Sequence, residues 1–405
     1  MKKIRLTILC LLLATTNVAW AQTYNVIPVA VPSLQITPDA RGGGMGDVGA
    51  ATTPDVYSQH WNPAKFPFTE SRGGFSFSYT PWLRQLVNDM HLLYATGFWR
   101  FGRDDVNAVS LSIRNFSLGE VDVTDMNGDF WQTISPYEFS IDAAFSRRLT
   151  ETFSGAIAVR YIFADYSLGD DDSTPGSAFA FDLAGFNQSH LTVWDADAVL
   201  GLGFNISNIG TKISYDGGAT SMFLPTNLRL GSSLKVINSF DPRHTFSFSL
   251  DLNKLLVPTP PRPILPIPPA ADETPAGTQQ RLEENRRRLE ENRRRFEEYN
   301  NISAIRGIFR SFGDAPGGLR EELQEISWSF GIEYSFNRLF SLRSGYHHES
   351  RWKGNRSFVA FGVGFRHTMF QIDAAYLIAT NRSNPLDQTL RFSLGVDIES
   401  LRNLF

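Results

Sequence analysis

The sequence has almost no cysteine and, past its N-terminus, no long apolar run. Cys10 is the only cysteine among 405 residues, so disulfides, thiol nucleophiles and cysteine metal sites are excluded for the rest of the chain. The lack of an apolar run of 18 residues excludes a bundle of membrane-spanning helices. Only 20% of the residues are charged, and the formal net charge of −4 gives no bulk attraction for nucleic acid.

Aromatic residues and glycine are abundant instead. The chain contains 32 Phe and 32 Gly, and its mean hydropathy is −0.19. In a transmembrane β-barrel the lipid-facing and lumen-facing residues alternate, so apolar and polar contributions cancel in such an average. The length is compatible with a single all-β domain of this kind.

Residues 1–21 have the pattern of a secretory signal peptide. A basic start is followed by an apolar stretch over residues 6–16, and Ala19 and Ala21 are small residues at the cleavage-determining positions. The apolar stretch is too short for an anchor helix. We therefore predict cleavage before Gln22, which removes the single cysteine and leaves 35 cationic against 42 acidic residues, a net charge of −7.

From residue 73 onward the chain is a series of segments with a period of two. Phe75, Phe77 and Tyr79 alternate with Ser76 and Ser78, and the opposite faces of such a strand are apolar and polar. The same alternation recurs over residues 245–252, 327–336 and 390–398. Segments of about ten residues cross a bilayer at barrel tilt, whereas the strands of a soluble sandwich are nearer five or six residues. The pattern predicts an all-β, transmembrane antiparallel β-barrel over residues 73–405.

The lengths of the connections predict about fourteen strands with both termini in the periplasm. Outer-membrane barrels alternate short periplasmic turns with longer extracellular loops. Residues 166–191 are assigned to a long outer loop. The segment 211–216 is the weakest strand, and we include it because the alternation of turn lengths breaks without it. The predicted strands are 73–80, 90–101, 106–118, 136–148, 152–165, 192–206, 211–216, 226–237, 243–254, 325–336, 339–348, 356–366, 369–379 and 389–398.

Two segments do not belong to the predicted wall. Residues 22–72 are rich in Pro, Gly and Ala and are either a flexible tail or a plug that folds inside the lumen, which fourteen strands make too wide for wall side chains to fill. Of these two, we predict the plug. Residues 255–324 form an extracellular insertion that opens with a proline run, typical of an extended spacer. A seven-residue repeat then starts at Arg281, with one apolar position per repeat, too few for a coiled coil. The repeat has three alternative interpretations, which are a solvated helix, a disordered charged loop and a docking helix for a partner.

No catalytic constellation is found in the sequence. Gly44, Gly46 and Gly49 match the G-x-G-x-x-G nucleotide fingerprint, but the required βαβ unit is not predicted, and the glycines fit tight turns in a confined lumen better. His347 and His348 point to opposite faces of a strand, and the acidic triplet at 170–172 is read as solvated. The nucleophile elbow G-x-S-x-G is absent from the sequence. We predict neither an enzyme nor a cofactor or metal site.

Two N-terminal runs resemble a known family. The run ITPDARGGGMGDVGAAT over residues 36–52 and the run YSQHWNPAK over residues 57–65 are similar to PorV, the outer-membrane barrel of the type IX secretion system in Bacteroidetes. Asn62-Pro63-Ala64 also resembles the signature of the wider FadL-like superfamily. Matching stretches continue at 193–215 and 223–231, whereas residues 270–325 do not match. The residues that carry the plug motif are Arg41, Gly42, Gly43, Gly44, Gly46, Asp47, Asn62, Pro63 and Ala64.

The resemblance implies a FadL-like barrel in the cell outer membrane and a role rather than a reaction. It implies binding of the C-terminal signal domain of secreted cargo, association with the giant translocon barrel of the SprA/Sov type, and delivery to a surface attachment complex with a PorU-type sortase. Outer-membrane lipid and lipopolysaccharide would surround it, and no nucleic acid is expected. The alternative is a FadL-like transporter for hydrophobic small molecules.

Loop aromatics are the candidate cargo contacts. Trp82, Phe223 and Trp352 lie in predicted outer loops that are otherwise expected to be polar. Aromatic residues dominate the energetics of protein interfaces, which favours a cargo-binding rim. They also form girdles at the membrane surface, and the sequence does not separate these two interpretations.

Overall fold

The alternating segments form a closed antiparallel barrel of fourteen strands, accompanied by a small hairpin. The strands are β1 (Gly73–Pro81), β2 (His91–Phe101), β3 (Asn107–Ser117), β4 (Val121–Thr124), β5 (Phe130–Ile134), β6 (Tyr137–Arg148), β7 (Phe153–Asp165), β8 (Gly176–Val193), β9 (Ala196–Gly210), β10 (Asn227–Ile237), β11 (His244–Leu255), β12 (Ile326–Phe336), β13 (Phe340–His348), β14 (Phe358–His367), β15 (Phe370–Ala379) and β16 (Leu390–Asp397). The hairpin is β4–β5, and the other fourteen strands form the wall.

Helices are short except for one in the insertion. The α-helices are α1 (Ala40–Gly44), α2 (Ser58–Trp61), α3 (Pro275–Asn300), α4 (Ala304–Arg310), α5 (Leu319–Gln324) and α6 (Ile398–Arg402), and 3₁₀ helices cover Pro32–Gln35, Pro63–Phe68 and Arg103–Asp105. None of the helices in the described part of the chain is long and apolar enough to span a membrane.

The computed structural model describes most of the chain. The predicted signal peptide and the acidic triplet at 170–172 lie outside the described residues. The described residues are 25–83, 89–125, 127–167, 173–193, 195–218, 220–270, 274–380 and 387–402.

The barrel closes where its first strand pairs with its last. In the register between β1 and β16, Phe75 faces Val396 and Tyr79 faces Phe392. Every other wall strand pairs with its two neighbours in the same antiparallel manner. Among the described residues, closure leaves no unpaired strand edge in the wall, which a structure in a lipid bilayer requires.

Side-chain parity gives the wall an apolar outside and a polar inside. Phe75 and Phe77 point outward and are 50% and 49% exposed, whereas Ser76 and Ser78 point into the lumen and are buried. The exposed apolar residues are those that contact lipid in an outer-membrane barrel. The membrane barrel predicted from this alternation is confirmed, and so is the count of fourteen strands predicted from the lengths of the connections.

The strand count is right, but two of the predicted assignments are wrong. Residues 166–191 were predicted as a loop, and most of them belong to the long strand β8. Residues 211–216 were predicted as a strand and instead form part of the loop between β9 and β10, where Ile213 makes one isolated bridge with Met222. The two errors cancel in the count. The short connection in this region joins β8 to β9 around residue 195, not β9 to the next strand.

The missed strand has an apolar inner face. Phe179 and Phe181 point outward, while Ala178 and Ala180 point inward and pack in a buried cluster with Ile213. Because Asp182 is the only polar residue between Ala178 and Ala184 on the inner face, β8 lacks the regular polar–apolar alternation from which the other strands were recognised.

The insertion forms a helix that packs on the proline-rich segment. Asn285 and Asn292, one repeat apart in α3, make paired hydrogen bonds to the backbone of Ile267 and Ile264, with donor–acceptor distances of 2.7–3.1 Å. The proline-rich segment cannot satisfy its backbone groups internally. The repeat therefore forms a helix whose asparagines bind an extended chain, and its role as a docking helix stays a prediction.

We expect the revised order of strands to determine which connections are surface-exposed. A tag inserted between β8 and β9 should be hidden in intact cells, because short turns of such barrels are periplasmic. A tag at residues 217–218, in the long loop before β10, should be detected on intact cells. Antibody binding before and after permeabilisation of the outer membrane measures both, with a tag at 149–151 as the hidden control. Surface exposure of the β8–β9 tag would contradict this topology.

Candidate functional site

Residues 25–72, which we call the lumenal segment, run through the interior of the barrel. The backbone N–H of Ser33 donates to the Glu138 carboxylate on β6 at 3.0 Å, and the N–H of Ala40 donates to Ser393 Oγ on β16 at 2.9 Å. Contacts to strands on different sides of the wall hold the segment across the lumen. Its assignment as a plug domain stays a prediction.

An ion network at Arg41 joins the segment to the wall. The Arg41 guanidinium lies 2.5 Å from an Asp55 carboxylate oxygen and 3.0 Å from Glu333 on β12. Arg343 on β13 continues the network, with nitrogen–oxygen distances of 2.6 Å to Glu333 and 2.6 Å to Asp373 on β15. All five side chains are buried. Removing one partner from such a buried network costs about 3–5 kcal/mol, since a charge is left uncompensated.

Glycines allow the segment to approach the wall backbone. A Cβ added at Gly44 would lie 2.9 Å from Gly362 Cα on β14, and one added at Gly46 would lie 2.6 Å from the backbone N of Tyr346 on β13. Gly46 also has a φ of +76°, which side chains disfavour. The predicted glycine run therefore lies within α1 and the turn after it, in backbone contact with the wall, and not in a βαβ unit.

The remaining plug-motif residues pack beside these glycines. A Cβ at Gly42 or Gly43 would meet Trp61 or Arg391, respectively, and Asp47 forms an ion pair with Arg391 at 2.7 Å. Each position is thus occupied by the smallest residue that fits or by a residue with a charged partner on the wall.

Asn62-Pro63-Ala64 fixes the chain shortly before β1. Asn62 Nδ2 donates to the carbonyl oxygens of Ala50 and Gly185, both at 2.9 Å, and Asn62 Oδ1 accepts from Ala64 N–H at 3.0 Å. Pro63 begins the 3₁₀ helix that Asn62 caps, in agreement with the preference for proline in a first helical turn. The triplet therefore ties the lumenal segment to itself and to β8.

Several residues of this site were not singled out from the sequence. Asp251 on β11 accepts from the backbone N–H groups of Gly49 and Ala50 at 2.8 and 2.9 Å. Asp39 accepts from the Trp61 indole at 2.6 Å. The signal that could have found Asp251 was its inward parity, since a charge facing a filled lumen requires a buried partner.

The segment separates two cavities. The larger, which we call the vestibule, lies on the side of the long loops and has a volume of about 740 Å³, and the other lies toward the short turns and has about 510 Å³. Asp47 and His60 of the segment line the vestibule, whereas Arg41 and Asp55 line the opposite cavity. Vestibule residues of both charge signs include Arg229, Lys353, Arg356, Glu325 and Glu349.

The three candidate cargo aromatics occupy different environments. Trp82 is half-buried at the vestibule and meets Phe116 edge to face, with ring centroids 6.2 Å apart. Trp352 is also half-buried, and its carbonyl oxygen accepts from Asn25 N–H at 3.1 Å. Phe223 is only 5% exposed and packs with Ile27 of the lumenal segment. Phe223 therefore connects parts of the rim and offers little surface to a partner.

Ion pairs hold the insertion against the loop after β13. The Lys353 ammonium lies 2.8 Å from Glu321 and 2.8 Å from Glu325. Burial raises the pKa of Glu321, but the hydrogen bond and charge of Lys353 outweigh it and hold that pKa below its usual 4.5. Glu349 is similar: burial raises its pKa, and the Arg356 guanidinium brings it below the usual value.

We expect glycine substitutions in the lumenal segment to destabilise the barrel. Gly44→Val forces a side chain into the Gly362 backbone, and overpacking of this kind costs about 1–3 kcal/mol. Gly46→Val adds an unfavourable backbone conformation. Gly313→Val is the matched control, because a Cβ there meets no atom within 4 Å. The temperature at which the barrel loses its compact electrophoretic form measures the effect, and equal tolerance at all three positions would contradict a packed lumen.

We expect acid to release the loop after β13 from the insertion. A carboxylate whose pKa is lowered by folding stabilises the fold above its unfolded pKa, and this contribution is lost as the pH falls through the folded pKa. Amide hydrogen exchange over residues 349–357, corrected for its intrinsic pH dependence, should therefore accelerate below a pH of about 4.5. Lys353→Met should show fast exchange already at neutral pH, and unchanged protection in acid would refute the assignment.

The family model described as "Type IX secretion system protein PorV" matches residues 19–262, more than half of the chain. No curated protein matches the sequence.

Solved structures that are similar to this chain include bacterial transporters. The toluene transporter TodX of Pseudomonas putida has 10% identity and a TM-score of 0.47, with 92% of this chain and 98% of that chain covered. The toluene transporter TbuX of Ralstonia pickettii has 12% identity and a TM-score of 0.42 over 90% and 97%. A FadL homologue of Pseudomonas aeruginosa has 12% identity and a TM-score of 0.39 over 93% and 100%. All three TM-scores are below 0.5.

Identity therefore rests on the family match together with the barrel. The match includes the glycine run and the Asn-Pro-Ala triplet, which the structure places in the lumen, and continues through β11. The chain belongs to the PorV family of type IX secretion system proteins and is a fourteen-stranded barrel of the outer membrane.

Proposed function

We propose that the protein binds the C-terminal signal domain of secreted cargo at its extracellular rim. In this proposal it receives cargo from the giant translocon barrel and passes it to the surface attachment complex that contains a PorU-type sortase. Membership of the PorV family is the observation that carries the proposal. The family is one of secretion components, and the proposed role involves no chemical reaction.

The filled lumen supports binding at the rim over passage through the barrel. The lumenal segment contacts the wall through the Arg41 network and through the glycine contacts near Gly44. Moving it aside would break the buried Arg41–Glu333 ion pair and the close backbone contacts of Gly44 and Gly46 with the wall. A folded signal domain is therefore expected to stay outside the wall.

The vestibule suits a small part of a partner. Its volume of about 740 Å³ is in the range of small-ligand pockets, whereas a stable protein interface buries about 800 Å² on each partner. A signal domain would therefore spread over the surrounding loops and place only a short segment in the vestibule. Trp82 lines the vestibule and Trp352 lies in the loop after β13, and both are half-buried, so part of each aromatic side chain is free to contact a partner.

The alternative function is transport of hydrophobic small molecules. Apolar side chains of the lumenal segment, among them Val26, Ile27 and Leu34, line one side of the vestibule. A mostly apolar wall with a few polar groups is typical of small-molecule sites. This function requires the segment to move, whereas cargo binding at the rim does not.

We expect two loop tryptophans to contribute to cargo affinity. Trp82→Ala and Trp352→Ala should each weaken binding of a cargo signal domain by about 30-fold, because truncating an interface anchor costs about 2 kcal/mol. Binding to the purified full-length barrel in detergent is measured by titration calorimetry. Phe240→Ala is the control, since Phe240 is 98% exposed in the turn between β10 and β11, at the opposite end of the barrel.

Three outcomes separate the hypotheses. Loss of binding in both tryptophan variants, with unchanged binding in the Phe240 control, supports the rim assignment. Unchanged binding in all variants would show that other loops hold the cargo. If the wild-type barrel ignores the signal domain but binds an apolar small molecule, the transporter function replaces the shuttle. Phe223→Ala is excluded from this set, because its burial predicts a loss of rim stability instead.

The partners are tested separately in the native membrane. Affinity purification of the protein under mild detergent should retain the giant translocon barrel and cargo signal domains. Their absence, with intact barrel recovered, would refute the shuttle.

A further inference from the structure

The extracellular insertion presents an apolar surface to the outside of the barrel. Ile305, Phe309 and Phe312 follow each other at intervals of four and three residues along α4 and the turn after it, which places them on one helix face. Leu319 and Leu323 are similarly spaced in α5. All five are exposed, Phe309 by 75% and Leu319 by 76%.

The helix α4 turns its small residues toward the protein and its large apolar residues outward, the opposite of a helix on a surface in contact with water. Gly307 and Ser311 are buried toward the rim, where a Cβ added at Gly307 would touch Phe223 and Pro258 at 3.0 Å. The large apolar residues point away from the protein. Surface helices in water bury the apolar face and expose the polar one, and apolar patches of this kind mark contact with a protein or a membrane.

This apolar surface is continuous with the lipid-facing wall. Leu228 and Leu230 of β10 and Leu252 of β11 form one side of a cleft of about 260 Å³, and Phe312 and Leu323 of the insertion form the other. Leu230 and Leu252 are 45% and 41% exposed on the outer face of the barrel. The cleft lies at the extracellular ends of these strands, at the level of the outer leaflet.

A buried ion cluster holds the insertion over the outside of the wall. Lys254 has the same parity as Leu252 and therefore points outward from β11. Its ammonium lies 3.1 Å from Glu322 and 2.8 Å from Glu325, and it is 5.9 Å from the Phe312 ring centroid. A cation at this position would be costly against lipid without partners. The cluster thus fixes Phe312 and Leu323 beside the wall.

Exposed cations accompany the apolar residues. Arg306 and Arg310 are in α4, next to Ile305 and Phe309, and Arg320 follows Leu319. Arg310 is 3.8 Å from Asp314 and half-exposed. Arginines beside an apolar face are the composition of helices that lie in a membrane interface, where the apolar side enters the acyl region and the cations meet lipid phosphates.

We propose that α4, α5 and the turn between them lie in the outer leaflet of the membrane. In this arrangement the cleft between β10–β11 and the insertion takes an acyl chain of an outer-leaflet lipid. Arg306, Arg310 and Arg320 bind the phosphate groups of its headgroup. The surface is thus a lipid contact, which fixes the insertion relative to the bilayer.

The cysteine content of the chain allows a direct test. Cys10, in the predicted signal peptide, is the only cysteine, so a single substitution supplies one labelling site in the mature full-length protein. Phe309→Cys and Leu323→Cys report on the proposed surface. Leu250→Cys, on the outer face of β11, is the lipid reference, and Asn127→Cys, at the exposed tip of the β4–β5 hairpin, is the water reference.

Each variant is labelled with a polarity-sensitive fluorophore and reconstituted into vesicles. Quenching is measured with doxyl-labelled phosphatidylcholine and with aqueous iodide. We expect the labels at 309 and 323 to match Leu250, with blue-shifted emission, efficient doxyl quenching and little iodide quenching. Adding phosphatidylglycerol should increase doxyl quenching at 309, and the combination of Arg306→Gln and Arg320→Gln should remove this increase.

Other results overturn the proposal. Iodide quenching at 309 and 323 equal to that at 127 would place the surface in water. Protection from both quenchers would show that protein, such as a second copy of the chain, covers it. Compact migration in gel electrophoresis establishes for each variant that the barrel is folded, and agreement between two positions on different helices separates membrane contact from a local effect of the substitution.

Discussion

The interior of a fourteen-stranded barrel is too wide to be filled by the side chains of its own wall, and the rest of the structure depends on how this space is filled. The lumenal segment fills it and supplies the partners that inward-facing charges require. Arg41 bridges Glu333 to Asp55, and Tyr57 donates a hydrogen bond to Asp373 at 3.1 Å. Without the segment these wall carboxylates would face an open channel, and with it they become part of a buried network whose members stabilise one another.

Most of the wall could be predicted from the sequence because lipid outside and polar groups inside impose a period of two. The exception shows the limit of that reasoning. In β8 the inner face carries Ala178, Ala180 and Ala184, which pack in buried apolar clusters, and Asp182 is the only polar residue among them. The alternation assumes a polar inner face, and it is lost where apolar side chains of the interior cover the wall. The alternation of short turns and long loops still required an even number of strands. Residues 211–216 were assigned as a strand to reach that number, in place of β8.

The candidate site was predictable to a different degree in its two parts. The glycine run could be recognised because close backbone approach requires glycine, as Gly46 shows, whereas the Asn-Pro-Ala triplet was recognised by its resemblance to a family signature. The contacts at the rim could not be predicted from the sequence, because the burial of a loop aromatic depends on segments that are distant in the chain. Phe223 is covered by Ile27 and Ile302, which lie about 200 and 80 residues away in the sequence. A loop aromatic can thus be a structural residue or a contact, and only the fold distinguishes the two.

One contact inside the barrel also concerns the order in which the protein is assembled. Ala40 N–H donates to Ser393 Oγ across a separation of 353 residues. A residue near the N-terminus therefore has its hydrogen-bond partner in the last strand. Contacts at such separations make folding slow, because the entropy of closing a long loop is lost before the contact can stabilise the structure. The Ala40–Ser393 hydrogen bond can therefore form only after β16 has joined the barrel. Closure of the barrel and completion of the contacts inside it are consequently linked, because both require β16.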